Sequence, residues 1–329
     1  MVHTGMFYVE LSEEQKYKME ERFNTTILLI NSTIQKQFKG ITTYFKKREG
    51  AWLMYIIVDF IELLSRENGV IVEEDYGLIR EKIKEVLYFL FSDNEVGLTL
   101  LRIDYRYDIV IKNQKHREYL FFLYKKLTKK YRHQKRCNRK KGSNQEYKTT
   151  MYFNSKSING IIYDKERERL ETKTDIKEYE RDVLRFEIRL QNKHLLNMRS
   201  KNGIQKTLKD YLKKGLWEKY MNNYMKNIIY EGDYYSIYHA EKIINSSSLK
   251  DKEKVKLRQF LCDISRYGVD GVKQWKEENK NKKHTLYTEY LFKKYLGYLR
   301  AFNINPVLLP KNNKLNLGAE KKIKNPFNI

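Results

Sequence analysis

Two segments of the chain alternate charged and apolar residues as a half-buried β-strand does. Residues 101–109 read LRIDYRYDI, and residues 184–190 read LRFEIRL. Successive side chains of a strand point to opposite faces, so the charged residues of each segment share one face. Asp104 and Glu187, with Asp108 as a third candidate, would supply there the oxygen ligands that Mg²⁺ and Mn²⁺ prefer.

The arginines of the same face would hold phosphate groups, because a guanidinium can donate two parallel hydrogen bonds to phosphate oxygens. These arginines are Arg102, Arg106, Arg185 and Arg189. The alternative is a solvated sheet face on which acids and arginines form cross-strand ion pairs. Asp108 could accordingly be either a metal ligand or the ion-pair partner of Arg106.

A third segment, residues 160–169, places Tyr163 at the end of a predicted strand and Lys165 close behind it. A tyrosine hydroxyl is a poor nucleophile at its ordinary pKa of about 10. A divalent metal, a lysine and a polarised phosphate would activate it by stabilising the phenolate and the transferring phosphoryl group. The chain has 27 tyrosines, and position alone favours a packing role for this one.

The overall charge favours a polyanionic partner. The 329 residues include 66 Lys and Arg against 42 Asp and Glu, a net charge of +24, and such a surplus is typical of nucleic-acid-binding proteins. The alternative is a lysine-rich composition without functional meaning. A dense basic run is predicted to contact phosphates rather than to be only a charged loop; it comprises Lys129, Lys130, Arg132, Lys135, Arg136, Arg139, Lys140 and Lys141.

Composition also bears on location. The two cysteines, Cys137 and Cys262, can form neither a disulfide framework nor a zinc site by themselves. The longest apolar stretch, residues 53–64, is interrupted by Asp59 and Glu62 and is too short to span a membrane. The N-terminus does not resemble a signal peptide. We therefore expect a cytoplasmic protein that does not associate with membranes.

The elements that must position these residues form an α+β pattern. Strands are predicted at 4–11, 28–30, 40–45, 100–111 and 183–190, with a hairpin of 148–155 and 159–165 around residues 156–160, where Asn159-Gly160 is a turn signal; helices are predicted at 13–23, 73–91 and 117–131. Residues 206–299 have a helical pattern. The prediction is a central antiparallel sheet with flanking helices over residues 1–200, a helical DNA-recognition or dimerisation region over 201–305, and a loosely ordered polar tail over 306–329.

Four short motifs in this order resemble the core of the Rep_trans family, which comprises plasmid rolling-circle replication initiators and related relaxases of mobile elements. They are LRIDYRYD at 101–108, TMYFNSKS at 150–157, IIYDKERE at 161–168 and LRFEIRL at 184–190. Asn154 stands where that family often has glycine. Residues 286–310, which contain Asn303-Ile304-Asn305-Pro306, are also similar to the helical C-terminal part of filamentous-phage-type initiators, a neighbouring family.

The resemblance implies a role for each matching residue. Tyr163 would cut one DNA strand at an origin, keeping the 5′ end as a phosphotyrosine and freeing a 3′-OH primer. Asp104 and Glu187 would bind Mg²⁺ or Mn²⁺, and Lys165 would lie beside the scissile phosphate. The DNA would be single-stranded or cruciform at the nick, and the partners would be a host helicase, a host polymerase and a second copy of the chain.

Other functions stay open. A conjugative relaxase of the same family would use the same chemistry for transfer. A non-catalytic, sequence-specific DNA-binding regulator would use the basic run and a helix-turn-helix within residues 255–300, with Gly268 or Gly271 in the turn. A histidine-ligated nickase is disfavoured because no two of the six histidines are separated by one residue. A tyrosine recombinase is disfavoured because its Arg…His-x-x-Arg…Tyr set is missing.

Overall fold

A computed structural model describes residues 1–93, 95–127, 130–131, 134–137, 149–272, 286–310 and 322–327, with the side chains of 130–131 and 134–137 excepted. The strands of this part are β1 (Val2–Leu11), β2 (Ile41–Arg48), β3 (Ala51–Asp59), β4 (Thr99–Val110), β5 (Lys130–Tyr131), β6 (Gln134–Cys137), β7 (Thr150–Asn154), β8 (Ile158–Asp164), β9 (Val183–Gln191), β10 (Tyr234–Tyr235) and β11 (Lys322–Ile323).

The helices of the described part are α1 (Glu13–Phe23), α2 (Ile30–Gln37), α3 (Phe60–Leu63), α4 (Tyr76–Phe91), α5 (Gln114–Tyr124), α6 (Lys165–Thr172), α7 (Asn192–Asn202), α8 (Leu208–Tyr211), α9 (Lys214–Tyr220), α10 (Asn227–Ile229), α11 (Ile237–Asn245), α12 (Asp251–Val272) and α13 (Glu289–Ala301). Short 3₁₀ turns cover Glu73–Asp75 and Glu178–Glu180, and a π-helical turn covers Met221–Lys226.

One antiparallel sheet organises the described chain. Its order is β2-β3-β1-β4-β9-β8-β7-β6-β5, and the seven strands from β2 to β7 in this order carry described side chains. The helices flank the sheet, and the part after β9 is mainly helical. The predicted α+β class, with a central antiparallel sheet and a helical C-terminal region, is confirmed.

The apolar face of the sheet carries the core. Leu100, Ile103 and Tyr105 of β4 are fully buried, and the Tyr105 hydroxyl donates to the carbonyl of Tyr211 at 2.6 Å. The helical region therefore packs directly against the back of the sheet. The indole of Trp217 joins the same contact by donating to the carbonyl of Arg106 at 2.9 Å.

Residues near the end of the chain belong to this core as well. Phe327 is buried and packs edge-to-face on Tyr107 and Phe186, at centroid distances of 5.5 and 5.0 Å. Strand β11 pairs with β10, and residues 307–309 are buried. The prediction of a loosely ordered tail is wrong for residues 306–309 and 322–327. Burial of their apolar side chains holds these segments against the core, although the region as a whole is polar in composition.

Three local predictions also need correction. The β-like run at 28–30 leads instead into α2, whose Ile30 and Ile34 are buried one helical turn apart. The predicted hairpin is present as β7 and β8, but it turns at residues 155–157, where the Ser155 hydroxyl accepts from the amide of Ile158 at 2.9 Å, and Asn159-Gly160 lies inside β8. The helix predicted at 117–131 is α5, which ends at Tyr124.

Gly268, predicted in a helix-turn-helix turn, lies where two helical segments of α12 meet at a kink. Its φ of 73° and ψ of 169° are not helical. A positive φ is readily adopted by glycine because it has no Cβ. Gly271 lies in the short helical segment that follows this kink. Residues 273–285, which the prediction included, lie outside the described residues.

Candidate active site

Three neighbouring strands bring the predicted site residues onto one face of the sheet. The register pairs Tyr163 of β8 with Arg185 of β9, and Arg185 with Asp108 of β4. Two residues further along β9, Glu187 pairs with Arg106, and two residues after that, Arg189 pairs with Asp104. Cross-strand partners share a face in an antiparallel sheet. The alternation of β4 and β9 therefore separates charged from apolar side chains as predicted.

This charged face is not a solvated platform at its centre. Arg185 is fully buried, and Asp104, Arg106 and Glu187 are each at least nine-tenths buried. The loop before α4 and the turn Glu178–Glu180 cover Arg106, whose guanidinium donates to the carbonyl of Gly69 and lies 5.9 Å from the centre of the Tyr179 ring. The charged groups consequently interact in a poorly solvated space, in which ion pairs and pKa shifts are stronger than at a surface.

The Tyr163 hydroxyl lies between an acid and an arginine. It donates to Oε2 of Glu187 at 3.1 Å, and Arg185 Nη1 approaches it at 3.5 Å. Burial, reinforced by the negative charge of Glu187, raises the pKa of Tyr163 well above its ordinary value, although Arg185 opposes the shift. The hydroxyl is therefore protonated near neutral pH, and Glu187 is placed to accept its proton.

Arg189 joins the two proposed ligand carboxylates. Its Nη2 donates to Oε1 of Glu187 at 2.8 Å, and its Nε lies 3.1 Å from Oδ2 of Asp104. Arg102 Nε lies 3.1 Å from the other oxygen of Asp104. Two arginines and two acids thus form a connected ion-pair network across β4 and β9. The Tyr163 hydroxyl is hydrogen-bonded to this network through Glu187.

The two carboxylates differ in acidity. Burial raises the pKa of Asp104 to about 7, and Glu187 adds to this shift while Arg189 and Arg102 oppose it. Burial acts on Glu187 in the same direction, but Arg189, His3 and Arg185 together outweigh it and keep the pKa of Glu187 below its ordinary value. When the pH falls, the pair therefore takes up its first proton chiefly on Asp104.

Asp108 is held by two arginines. Arg185 donates to both of its oxygens, at 2.7 and 2.8 Å, and Arg106 Nε lies 3.6 Å away. Burial would raise the pKa of Asp108, but the two guanidinium groups outweigh it and lower that pKa. The observed contacts of Asp108 are those of an ion-pair partner, while a role as metal ligand remains a prediction.

Lys165 begins α6 directly after the tyrosine strand. Its ammonium group lies 2.7 Å from Glu168, 3.5 Å from Glu180 and 5.9 Å from the centre of the Tyr163 ring. Asp164, between Tyr163 and Lys165, caps α6 by accepting from the amide of Arg167 at 3.1 Å. The helix start thus fixes the backbone immediately after Tyr163.

Several residues that support the site were not predicted. Arg117 of α5 is buried and binds Asp164 at 2.8 Å, Glu166 at 2.8 Å and Asp182 at 2.5 Å. Glu180, which is fully buried, accepts from Arg169 as well as contacting Lys165. No spacing in the sequence pointed to Arg117 as the partner of the acids at 164 and 166.

The basic run is only partly described. Lys130 lies on β5, and Lys135 and Arg136 lie on β6, at the edge of the sheet beyond β7. Lys129, Arg132, Arg139, Lys140 and Lys141 lie outside the described residues. Phosphate contact by this run therefore stays a prediction.

The carboxylate pair is compatible with a divalent metal in one respect. Oδ1 of Asp104 is buried and, although Arg102 lies nearby, it accepts no well-directed hydrogen bond from the described residues. Mg²⁺ is commonly bound by one or two carboxylates together with water and substrate phosphates, and Asp104 and Glu187 supply such a pair. In the described part of the chain, no group of three or more His, Cys, Asp or Glu is placed to hold a metal ion.

Comparison with known proteins identifies the general kind of protein. Residues 82–214 match the Phage_CRI family model, which describes the N-terminal part of a replication-associated phage protein. This segment contains β4, β8 and β9 with Asp104, Tyr163 and Glu187. The match supports a replication initiator in kind, but it names a different family from Rep_trans, whose specific assignment is not confirmed.

The family match covers residues 82–214 and leaves the rest of the chain unmatched. It does not cover residues 286–310, on which the similarity to filamentous-phage-type initiators rests. No curated protein matches the chain significantly. Among the described residues, no helix is both long and apolar enough to cross a membrane.

Proposed function

We propose that the chain initiates rolling-circle replication by cutting one DNA strand with Tyr163. The observation that carries the proposal is the contact of the Tyr163 hydroxyl with Glu187, whose other oxygen is linked through Arg189 to Asp104. A potential nucleophile, a proton acceptor and two potential metal ligands thereby meet on three adjacent strands. The segment that holds them is the one that matches a replication protein.

The proposed step transfers a phosphoryl group from DNA to the protein. Glu187 takes the phenolic proton as the Tyr163 oxygen attacks the phosphorus. The bond between phosphorus and the 3′ oxygen breaks, and that oxygen takes up a proton from solvent. The 5′ end then stays on Tyr163 as a phosphotyrosine, and the free 3′-OH can prime a host polymerase.

Asp104 and Glu187 would hold Mg²⁺ or Mn²⁺, which when bound supplies positive charge to the phosphate oxygens. The side chains of Arg102 and Arg189 are 22% and 30% exposed to solvent, so these two are the site arginines most able to contact a phosphate. Arg185 is buried against Asp108 and acts by holding Tyr163. Lys165 would compensate charge beside the phosphate.

The test is covalent capture of DNA. Purified protein is incubated with Mn²⁺ and single-stranded oligonucleotides of random sequence labelled at the 3′ end, and adducts are separated on a denaturing gel. We expect an adduct with the wild-type protein, its loss with EDTA, and a loss of at least a hundredfold with Tyr163→Phe, because phenylalanine has no nucleophilic oxygen.

The matched control is Tyr290→Phe, which removes the hydroxyl of an exposed tyrosine on α13. It should form the adduct normally. Tyr163→Phe should still bind the oligonucleotides, since binding needs charge and stacking rather than the hydroxyl. An undiminished adduct with Tyr163→Phe would contradict the assignment of the nucleophile, and binding without any adduct in the wild type would favour the non-catalytic regulator.

Two finer roles are part of the proposal. A relaxase would perform the same step at a transfer origin, so the chemistry does not depend on this distinction. The helical region after residue 200 would recognise the origin or pair two copies of the chain, and a host helicase would unwind the nicked DNA. These partners follow from the resemblance to initiators.

A further inference from the structure

A row of three tyrosines lies on the same sheet face as the candidate active site. The register pairs Tyr44 of β2 with Tyr55 of β3, and Tyr55 with Tyr8 of β1. The rings of Tyr44 and Tyr55 are stacked, with centroids 4.7 Å apart and planes inclined by 4°. We refer to Tyr8, Tyr44 and Tyr55 as the tyrosine row.

The tyrosine row is continuous with the charged face. On β1, Tyr8, Met6 and Thr4 share a face and pair with Thr99, Arg102 and Asp104 of β4. Alternate residues of a strand are roughly 6–7 Å apart, so the row lies roughly 13 Å along the strands from Asp104. Arg102 lies between them and contacts Asp104 at 3.1 Å.

A cleft of about 590 Å³ occupies this part of the face. Tyr8 and Tyr55 line it together with Arg102, and Gln191 and Asn192 contribute amide groups from the end of β9 and the start of α7. The Oδ1 atom of Asn192 is buried and has no hydrogen-bond partner among the described residues. The cleft therefore offers aromatic rings beside an unused hydrogen-bond acceptor.

Positive charge surrounds the rings. The ammonium group of Lys46 lies 5.5 Å from the ring centre of Tyr44 and 5.9 Å from that of Tyr55, and Lys206 lies 5.9 Å from that of Tyr8. Arg48 and Arg102 also line the cleft. Two carboxylates, Glu10 and Glu49, stand at its border, and Glu49 is paired with Arg48. Cations thus outnumber acids around the row.

We propose that the tyrosine row and its cleft bind unpaired bases of the DNA strand whose phosphate reaches Tyr163. Aromatic rings that alternate with lysines and arginines bind single strands by stacking on bases and pairing with phosphates, without the need for a duplex. Base edges would meet the amides of Gln191 and Asn192. The identity of the polymer rests on the proposed function, while the site itself rests on these rings and charges.

The alternative explanation is structural, because cross-strand aromatic pairs stabilise a sheet by themselves. The experiment separates the two with paired substitutions. Tyr44→Phe/Tyr55→Phe keeps the stacked rings, whereas Tyr44→Thr/Tyr55→Thr keeps a residue type that favours strands but removes the rings. Binding of a fluorescent oligothymidine of about 16 nucleotides is measured in EDTA, so that no cutting occurs.

We expect the Phe pair to bind oligothymidine as the wild type does and the Thr pair to bind at least tenfold more weakly, because each stacked base contributes measurably to affinity. Tyr290→Thr, on α13, serves as the control and should bind normally. The wild type should prefer oligothymidine to a duplex of the same length. Thermal unfolding checks that both pairs of variants are folded.

Three outcomes would overturn the inference: wild-type binding by a folded Thr pair, equal preference for the duplex, or a change in oligomeric state without a change in DNA binding. The last would assign the rings to contact between two copies of the chain. The adduct assay distinguishes this failure from that of the proposed function. If the Thr pair binds weakly, the tyrosine row is supported. If Tyr163→Phe still forms the adduct in the same series, the assignment of the nucleophile is wrong, and the two results are independent.

Discussion

At the scale of single residues, the candidate site depends on how two carboxylates share charge with arginines. Glu187 stays ionised because Arg189 lowers its pKa, whereas burial raises the pKa of Asp104 to about 7. Glu187 can therefore accept the proton of Tyr163 while Asp104 is still partly protonated. A metal ion that binds this pair has to displace the proton of Asp104.

This competition predicts a pH-dependent metal affinity. A raised pKa means that Asp104 gains its proton as the pH falls through neutrality, so Mn²⁺ should bind several-fold more weakly at about pH 6 than at about pH 8. Titration calorimetry with Mn²⁺ alone measures this affinity. The change should be much smaller in Asp104→Asn, which binds weakly at every pH. An affinity that is flat over this range in the wild type would argue against Asp104 as a ligand.

At the scale of elements, the start of α6 keeps Tyr163 in place. Arg117 binds Asp164, which is buried and caps the helix, and it also binds Glu166 and Asp182. Removing one partner of such a network leaves the others as unpaired charges in a poorly solvated space. The connection between β8 and α6 is therefore held by α5 from outside the sheet.

Arg117→Met should lower the free energy of unfolding by about 3–5 kcal/mol, because Asp164 stays buried without its cation. Urea denaturation measures the loss. Arg181→Met offers the comparison, since Arg181 is largely exposed and forms an ion pair with exposed Glu178; it should change the unfolding free energy by less than about 1 kcal/mol. Equal effects of the two substitutions would refute a structural role for the Arg117 network.

The strands of the site could be predicted from the sequence, whereas the segments that bury their charged face could not. Alternation in 101–109 and 184–190 assigned the charged residues of β4 and β9 to one face, and the motif order put Tyr163 on a third strand. The burial of this face was not predictable, because its cover comes from Gly69 and Tyr179 in irregular segments without periodicity. Gly69, with φ of 63°, approaches Tyr179 so closely that a Cβ would lie 2.4 Å from its ring; only the fold reveals that need.

At the scale of the whole molecule, residues 322–327 stabilise the back of the central sheet. Phe327 packs on Tyr107 and Phe186, the apolar neighbours of Asp108 on β4 and Glu187 on β9. The core behind the site thus includes a residue that lies far along the chain from β4 and β9. This contact could not be predicted from the sequence, because a single phenylalanine in a polar segment forms no periodic apolar pattern.

Phe327→Ala should lower the free energy of unfolding by about 3–5 kcal/mol, the usual loss for a phenylalanine removed from a core. Leu170→Ala, at a side chain that is 62% exposed, is the comparison and should have little effect. Both are compared by urea denaturation. An equally small loss with Phe327→Ala would mean that the chain end does not belong to the core.

The position of Tyr163 within β8 has one more consequence. β8 has hydrogen-bonded neighbours on both sides, β7 and β9, and α6 follows it at once. A phenol anchored in this way cannot swing out to meet a double helix. Under the proposed function the nucleic acid has to bend and melt toward the protein, so cleavage should be fastest on negatively supercoiled circles, whose torsional stress has already opened the cutting site.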